Sequence, residues 1–255
     1  MLAGLLRLLG WGRSGPPRVP DGTRVYAIGD IHGRDDLLRE LHGVVAGDAA
    51  SAPEREKTVV YLGDYVDRGL ESRRVIDLLL DEPIPGVAPR YLKGNHEDLM
   101  LRFLDDASVG PDWLELGGAA TLYSYGVALS GLLSDEQTLL EAQRRLSEAV
   151  PARHLAFLRG LDLHHVAGNY LFVHAGIRPG VPLAAQAEED LLWIREEFLN
   201  STEDHGHVVV HGHSINVETV FRPNRISIDT GAYATGILTC LVLDGDARRV
   251  LRTGG

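Results

Sequence analysis

Short apolar runs alternate with helical patterns over the first third of the chain. Residues 24–28, 58–62 and 90–92 have the composition of strands, whereas residues 36–46 and 72–80 carry apolar side chains at helical spacing. Strands that alternate with helices in this way are covered on both faces of their sheet. The pattern therefore predicts an α/β fold with largely parallel strand pairing.

The pattern changes in the middle of the chain. Residues 97–161 are mostly helical in character, and we predict a helical insertion at about residues 99–163. A hairpin is predicted next, with strands at 162–166 and 170–173 joined by a turn at Gly168 and Asn169. The remaining predicted elements are a helix over 188–198 and strands over 208–210, 225–228 and 237–243.

The N-terminus differs from the rest of the chain. Residues 14–22 are rich in proline and glycine and are predicted to form a linker. We accordingly divide the chain into an N-terminal leucine-rich segment with its linker, residues 1–22, and a main domain, residues 23–255. No basic region precedes the leucines and no clear small-residue cleavage site follows them, so a cytoplasmic location is predicted.

Leucines recur at helical spacing within residues 1–13, at Leu2, Leu5, Leu6 and Leu9. Such a segment is compatible with weak contact to a membrane surface or to a partner groove. A frayed tail or packing arm is the alternative, because the segment is short and its two arginines supply little attraction to anionic lipid.

Charge and cysteine content narrow the classes of partner. The chain has 25 Lys and Arg against 36 Asp and Glu, a net charge of −11. Extended nucleic-acid binding needs a basic face, so it is disfavoured, whereas a small phosphorylated ligand remains compatible. The single cysteine, Cys240, lies in an apolar run and excludes both an intramolecular disulfide and a cysteine-based zinc site.

Polar motifs stand at the ends of five predicted strands, where α/β proteins bind ligands. They are Gly29-Asp30-Ile31-His32-Gly33, Gly63-Asp64-Tyr65-Val66-Asp67-Arg68-Gly69, Gly94-Asn95-His96-Glu97, His174-Ala175-Gly176 and His211-Gly212-His213-Ser214. Each offers carboxylate, imidazole or amide ligands beside glycines that allow sharp turns. Together they describe a two-metal site, in which a carboxylate such as Asp64 bridges cations roughly 3.5–4 Å apart. The predicted chemistry is phosphoester hydrolysis.

These motifs, in this order, resemble the metallophosphoesterases of the phosphoprotein phosphatase type, especially their bacterial and bacteriophage members. The resemblance spans about residues 24–244. It implies an α/β calcineurin-like fold, in which two mixed β-sheets form a sandwich flanked by helices. It also implies two divalent metal ions, with manganese expected and iron or zinc as alternatives. The implied substrate is a phosphoprotein or a small phosphoester.

The resemblance assigns metal ligands residue by residue. Asp30 and His32 match the ligands of one metal ion, and Asp64 matches the carboxylate that bridges both ions. The ligands of the other ion correspond to Asn95, His174 and His213.

The same resemblance assigns the acid and the phosphate-binding residues. His96 matches the proton donor to the leaving oxygen, and Asp67 resembles the residue that orients it. Arg68 matches a phosphate clamp. Arg195 resembles a second clamp, with a solvated helix arginine paired to nearby glutamates as the alternative.

Some nearby residues allow two interpretations. His211 competes with His213 as a ligand, and we predict that His213 binds metal while His211 hydrogen bonds nearby. Asp229 is either a turn former or a partner of a ligand. Trp113 is predicted to pack in the core, with a place at the substrate mouth as the alternative.

The leading hypothesis is a phosphatase that hydrolyses phosphomonoesters, with phosphoserine and phosphothreonine in proteins as substrates, by attack of a metal-bound hydroxide. The alternative is a diadenosine tetraphosphate hydrolase, a group that resembles this family but usually lacks an aspartate at the position of Asp67. A catalytically silent binding module is disfavoured because no ligand or acid is missing. The negative charge disfavours a nuclease.

Overall fold

Two five-stranded sheets pack against each other in the computed structural model, which describes residues 15–128 and 135–254. The strands of the first sheet are β1 (Thr23–Ile28), β2 (Glu56–Tyr61), β3 (Ala88–Tyr91), β9 (Thr239–Asp244) and β10 (Ala247–Arg252). Their order is β10-β9-β1-β2-β3. β1, β2 and β3 are parallel, whereas β9 and β10 run antiparallel to their neighbours, so the sheet is mixed.

The second sheet is built from the C-terminal half of the chain. Its strands are β4 (His164–Ala167), β5 (Tyr170–Val173), β6 (Val208–His211), β7 (Val220–Phe221) and β8 (Arg225–Ser227). Their order is β4-β5-β6-β8-β7, with β5, β6 and β8 parallel and the two edge strands antiparallel. β4 and β5 form the predicted hairpin.

Side-chain alternation along β1 explains the sandwich. Val25 and Ala27 point into the apolar layer between the sheets, whereas Tyr26 and Ile28 pack on the opposite face beneath helices. Because both faces of the strand are buried, its sequence is apolar almost throughout. The α/β sandwich with flanking helices that the resemblance implied is confirmed.

The helices cover the outer faces of the sheets. The helix predicted over residues 188–198 is interrupted at Ile194 (φ −58°, ψ 141°) and Arg195 (φ −131°, ψ −96°), where the backbone leaves the helical region. The described helices are α1 (Asp35–Ala50), α2 (Ser72–Asp81), α3 (Asn95–Asp105), α4 (Gly110–Glu115), α5 (Gly118–Ser124), α6 (Glu136–Ala149), α7 (Ala152–Arg159), α8 (Glu188–Trp193), α9 (Glu196–Leu199) and α10 (Ala232–Thr235). Helices α3 to α7 form the helical insertion.

The described part of the predicted linker packs against the domain. Val19 is fully buried in the layer between the sheets, and its backbone N–H donates to the carbonyl of Gly245. The packed structure therefore begins before Thr23. The leucine-rich residues 1–13 lie outside the described part of the chain, within which no helix is long and apolar enough to span a membrane.

Candidate metal centre

The five sequence motifs meet at one edge of the sandwich. They follow β1, β2, β3, β5 and β6, whose C-terminal ends point the same way within each sheet. The backbone N–H of His32 donates to the carbonyl of Asp64 at 2.8 Å, which joins two of the loops. The N–H of His213 donates to Oδ2 of Asp30 at 2.9 Å, which joins the two sheets. Parallel pairing thus brings together side chains that are far apart in sequence.

The loops of the site are held in an unusual backbone conformation. Among the described residues, the non-glycine residues with positive φ are His32, Asp64, Asp67, Arg68 and His213, with φ between 46° and 71°. All five belong to the motifs. Residues other than glycine rarely adopt this conformation, and such strain concentrates at functional sites. Gly63 allows two of the loops to approach closely, since a Cβ atom there would lie 2.5 Å from the nitrogen of Gly94.

Asp64 lies at the centre of two potential metal-binding groups. One contains His32, Asp64 and His96, and the other contains Asp64, His174 and His213. Oδ2 of Asp64 lies 3.4 Å from Nε2 of His32, and Oδ1 lies 3.4 Å from Nε2 of His174. Each carboxylate oxygen therefore faces a different group, an arrangement that suits a bridging ligand.

Asn95 belongs to the second group. Its Oδ1 atom lies 2.9 Å from Nε2 of His174 and 3.0 Å from Nδ1 of His213. His174 uses its other nitrogen, Nδ1, to contact the carbonyl of Leu62 at 2.9 Å. Since Nδ1 must carry the proton to donate there, Nε2 is an acceptor facing the acceptor oxygen of Asn95. A cation bound by both atoms would remove this repulsion, so the donor set fits a metal ion.

The protonation states of the histidines suit the same role. Nδ1 of His32 lies 2.8 Å from the carbonyl of Val66, which directs the lone pair of Nε2 towards Asp64. Burial lowers the pKa of His32 to about 3 and also lowers the pKa values of His174 and His213. Neutral imidazole is the form that binds metal. Burial acts to raise the pKa of Asp64, but the surrounding histidines outweigh it and keep that pKa below its ordinary value.

Asp30 lies outside both three-residue groups, and its Oδ2 accepts from the backbone N–H of His213. Its Oδ1 atom is buried and has no hydrogen-bond partner. A Cβ atom on Gly212 would lie 2.0 Å from that oxygen, so only glycine fits there. Burial, together with Asp229 and Asp64, raises the pKa of Asp30. Asp229 lies in a turn, where its Oδ1 accepts from the N–H of Gly231.

His96 and Asp67 form a buried pair. Nδ1 of His96 lies 2.7 Å from Oδ2 of Asp67, and Nε2 lies 3.8 Å from Oδ2 of Asp64. Burial acts to lower the pKa of His96, but the two carboxylates outweigh it and raise that pKa above its ordinary value. The charged imidazolium is therefore favoured, with Nε2 directed towards the metal-binding group. This is the geometry of a proton donor.

Two arginines lie at the site. Nη1 of Arg68 lies 2.8 Å from Nε2 of His32, beside the first group. Arg195 is exposed between α8 and α9, and its charge lowers the pKa values of His174 and His213 in the second group. Within the described residues Arg195 has no ion pair. The alternative for Arg195 was an ion pair with a nearby glutamate. In the structure it is Arg178 that forms such a pair, with Glu197.

His211 takes no part in either metal-binding group. Its ring packs edge-on against Phe198 with 5.0 Å between centroids, and its Nδ1 lies 3.0 Å from the carbonyl of Gly212. The structure thus places His213 beside Asp64, whereas His211 packs against Phe198 outside both metal-binding groups.

Sequence reasoning missed the contacts that Trp113 and Thr121 make with Asp67. Trp113 is fully buried against Phe103, as predicted, but its Nε1 also donates to Oδ2 of Asp67 at 2.9 Å. Thr121 donates to the other oxygen of Asp67 at 2.6 Å. Neither contact has a sequence signal, since the partners lie 46 and 54 residues apart.

Glu97 ends the third motif and holds its loop to the second. Its carboxylate accepts from the backbone N–H groups of Asp64, Tyr65, Val66 and Gly94, at 2.7–3.2 Å. These bonds join the turn after β2 to the start of α3. The position of Glu97 within the third motif is the sequence signal that could have identified it as the residue joining the two loops.

Comparison with known proteins agrees with this geometry. Residues 23–236 match the family model described as calcineurin-like phosphoesterase. The chain belongs to this family. A solved structure titled a putative diadenosine tetraphosphatase has the same fold, with a TM-score of 0.63 at 21% identity over 94% of this chain and 100% of that one.

Two curated relatives have established names. The chain is 27% identical over 230 residues to bis(5'-nucleosyl)-tetraphosphatase PrpE [asymmetrical] of Bacillus cereus, covering 84% of this chain and 88% of the relative. It is 26% identical over 174 residues to a zinc-dependent endopolyphosphatase of Saccharomyces cerevisiae, covering 64% of this chain. This chain spans only 50% of the yeast protein's length. Neither relative is named as a protein phosphatase.

Proposed function

We propose that this protein is a dinuclear metal-dependent hydrolase of bis(5'-nucleosyl) tetraphosphates. The observation that carries the proposal is the similarity to the Bacillus tetraphosphatase, which extends over 84% of this chain and 88% of that enzyme. The yeast relative is named for polyphosphate. Both names describe hydrolysis of phosphoric anhydrides, so an anhydride substrate is favoured over the phosphoprotein expected from the motifs.

The residues of the site divide into two metal-binding sets that share one bridge. Asp64 would contact both ions, with His32 and Asp30 towards one and Asn95, His174 and His213 towards the other. Two divalent ions in such a site activate water and neutralise charge on the phosphoryl group. Mixed oxygen and nitrogen ligands suit manganese, iron or zinc, and manganese remains our expectation.

The arginines match the charge of a tetraphosphate. Arg68 lies beside His32 and its guanidinium is 4.9 Å from the ring centroid of Tyr233, so it is held at the first metal-binding group. Arg195 lies beside the second group. Guanidinium binds phosphoryl oxygens in bidentate fashion. Two arginines on either side of the bridge would hold neighbouring phosphates of one chain, in a protein whose net charge is otherwise −11.

A phosphoprotein phosphatase is the second candidate, and the His96–Asp67 pair favours it. A nucleotide leaves as a phosphate, whose second pKa is about 6, and so needs little help from an acid. A serine or threonine side chain leaves as a strongly basic alkoxide and needs a proton in the transition state. A buried, charged imidazole is the donor that such a leaving group requires.

A side-by-side rate comparison tests the proposal. The manganese-loaded protein is given diadenosine tetraphosphate and a phosphoserine peptide at equal concentrations, and kcat/KM is measured for each. We expect the tetraphosphate to be hydrolysed faster by at least about tenfold. A preference for the peptide would replace the first function with the second, and hydrolysis of neither would contradict both.

A further inference from the structure

The carboxylate of Asp67 is fully buried and receives hydrogen bonds from three side chains on three different helices. Oδ2 accepts from Nδ1 of His96 at 2.7 Å and from Nε1 of Trp113 at 2.9 Å. Oδ1 accepts from the hydroxyl of Thr121 at 2.6 Å. The donors lie on α3, α4 and α5, and the last two helices lie deep in the helical insertion.

We propose that Trp113 and Thr121 are positioning residues, which hold the His96 imidazole in place through Asp67. This inference rests on the proposed function in that it concerns the same site, and its effect on rate is expected for phosphoesters whose leaving group needs a proton. A single bond to His96 would leave the carboxylate free to turn. Donors on both oxygens fix its rotation, and the imidazole follows because its Nδ1 is bonded to one of them.

The backbone of Asp67 is tied to the same helices. Its N–H contacts the hydroxyls of both Thr121, at 2.9 Å, and Ser72, at 3.1 Å. Those two hydroxyls lie 3.0 Å from each other. Asp67 has a positive φ of 71°, a conformation that surrounding bonds must maintain. Thr121 therefore orients both the main chain and the side chain of Asp67.

The turn between α4 and α5 is shaped for this contact. A Cβ atom on Gly118 would lie 2.5 Å from the indole of Trp113, so glycine is needed for the ring to occupy its place. The neighbouring Gly117 has φ 110° and accepts, through its carbonyl, a hydrogen bond from the N–H of Arg68. The insertion thus packs directly on the loop that carries Asp67 and Arg68.

The position of the His96 ring matters because the nitrogen that would donate the proton is Nε2, and Asp67 is bonded to the other nitrogen, Nδ1. Nε2 lies 3.8 Å from Oδ2 of Asp64, at the first metal-binding group. Misplacing a reacting group by about 1 Å can cost on the order of 10²-fold in rate. Loss of a bond to Asp67 should therefore slow reactions that need the proton, and spare reactions that do not.

Two conservative variants remove these contacts separately: both bonds between the Thr121 hydroxyl and Asp67 in the first, and the single bond from the Trp113 indole in the second. Thr121→Val removes the hydroxyl and Trp113→Phe removes the indole N–H, while both keep an apolar side chain in the core. Thr121→Ser restores the hydroxyl. Tyr123→Phe is the matched control, since it removes a hydroxyl from an exposed side chain on the same helix.

Each manganese-loaded variant is assayed on an alkyl phosphate and on dinitrophenyl phosphate, whose leaving group needs no proton. We expect Thr121→Val and Trp113→Phe to lower kcat on the alkyl ester on the order of tenfold, with KM and metal content unchanged. The aryl ester should be cleaved within about twofold of the parent rate, and Thr121→Ser should recover the loss. In a His96→Asn background the two variants should have no further effect.

A second readout does not depend on activity. The ring N–H signal of His96 is recorded by NMR in the zinc-loaded parent and variants, and we expect it to shift in Thr121→Val and Trp113→Phe but not in Tyr123→Phe. An unmoved signal, or equal losses on both esters, overturns the positioning role. If the parent hydrolyses neither tetraphosphate nor ester, the proposed function fails on its own, and the NMR result still decides this inference.

Discussion

The Nε2 atom of His174 lies 2.9 Å from the Oδ1 atom of Asn95. Both atoms are acceptors, because the proton of His174 is on Nδ1, where it contacts the carbonyl of Leu62. Two acceptors in contact destabilise a buried site unless a cation lies between them and their neighbours. The pair therefore links the stability of this site to metal binding.

The bridging carboxylate is the first test of the dinuclear site. Asp64→Asn removes the charge that faces both groups of ligands, so we expect metal content to fall below two equivalents and the rate on an aryl phosphate to fall on the order of 10²-fold or more. Metal analysis and a rate measurement on the same sample check this. Asp105→Asn, an exposed change of the same kind, is the control. If Asp64→Asn holds two equivalents of metal and keeps the parent rate, Asp64 is not the bridging ligand.

The proton donor is tested through the leaving group. His96→Asn removes the imidazole, and loss of a general acid typically costs 10² to 10⁴-fold. We expect a loss in this range on an alkyl phosphate and a much smaller loss on a nitrophenyl ester, because nitrophenolate leaves without a proton. Steady-state kinetics on both esters provide the comparison. Equal losses on the two would show that His96 does not donate the proton.

The second phosphate clamp is tested by changing one charge. Arg195→Gln should raise KM for diadenosine tetraphosphate on the order of tenfold, since a bidentate contact to a phosphoryl oxygen is lost. Arg222→Gln is the control, because it changes the net charge equally at an exposed position in the turn between β7 and β8. If both variants raise KM to the same extent, the effect of Arg195 comes only from its contribution to the net charge, and its assignment as a phosphate clamp is wrong.

A partly buried histidine outside the site, His42, predicts how the stability of the fold depends on pH. Burial, and then Arg39, lower the pKa of His42 to about 4, and Nε2 of His42 lies 2.8 Å from the hydroxyl of Tyr61. The folded state favours neutral His42, so the stabilisation is complete above pH 6.5, the ordinary pKa, and is lost as the pH falls towards 4.

His42→Gln isolates this contribution, because glutamine keeps an acceptor for Tyr61 but does not titrate. Between pH 6.5 and 5 the free energy of unfolding of the parent should fall by about 2 kcal/mol more than that of the variant. Denaturant unfolding at several pH values measures the difference. Parallel pH profiles would contradict the assignment.

The role of the N-terminal segment is tested by deletion. The cut belongs after residue 14, because Val19 is buried between the sheets and a deletion to residue 20 would open the core. Removing residues 1–14 should leave hydrolysis of a small phosphate ester unchanged and weaken sedimentation with anionic vesicles. Equal sedimentation of the full and shortened chains would exclude membrane contact through this segment.

The sequence by itself determined the chemistry of the site. The ligand types, the glycines and the strands that precede them are local features, and the order of the motifs carries the family resemblance. Local patterns also predicted β1, β2 and the helical insertion. They did not reveal β7, which has only two residues, or β10, since an edge strand without buried side chains lacks the apolar face that marks a strand.

Tertiary structure decided which side chains meet. His32, Asp64 and His174 come from strands of two different sheets, and only the packing of the sandwich places both oxygens of Asp64 opposite different imidazoles. Trp113 was indistinguishable from any core aromatic until its indole N–H was seen to point at Asp67, 46 residues away. Periodicity reports which face of an element is buried, whereas a hydrogen bond between distant residues depends on how the elements pack.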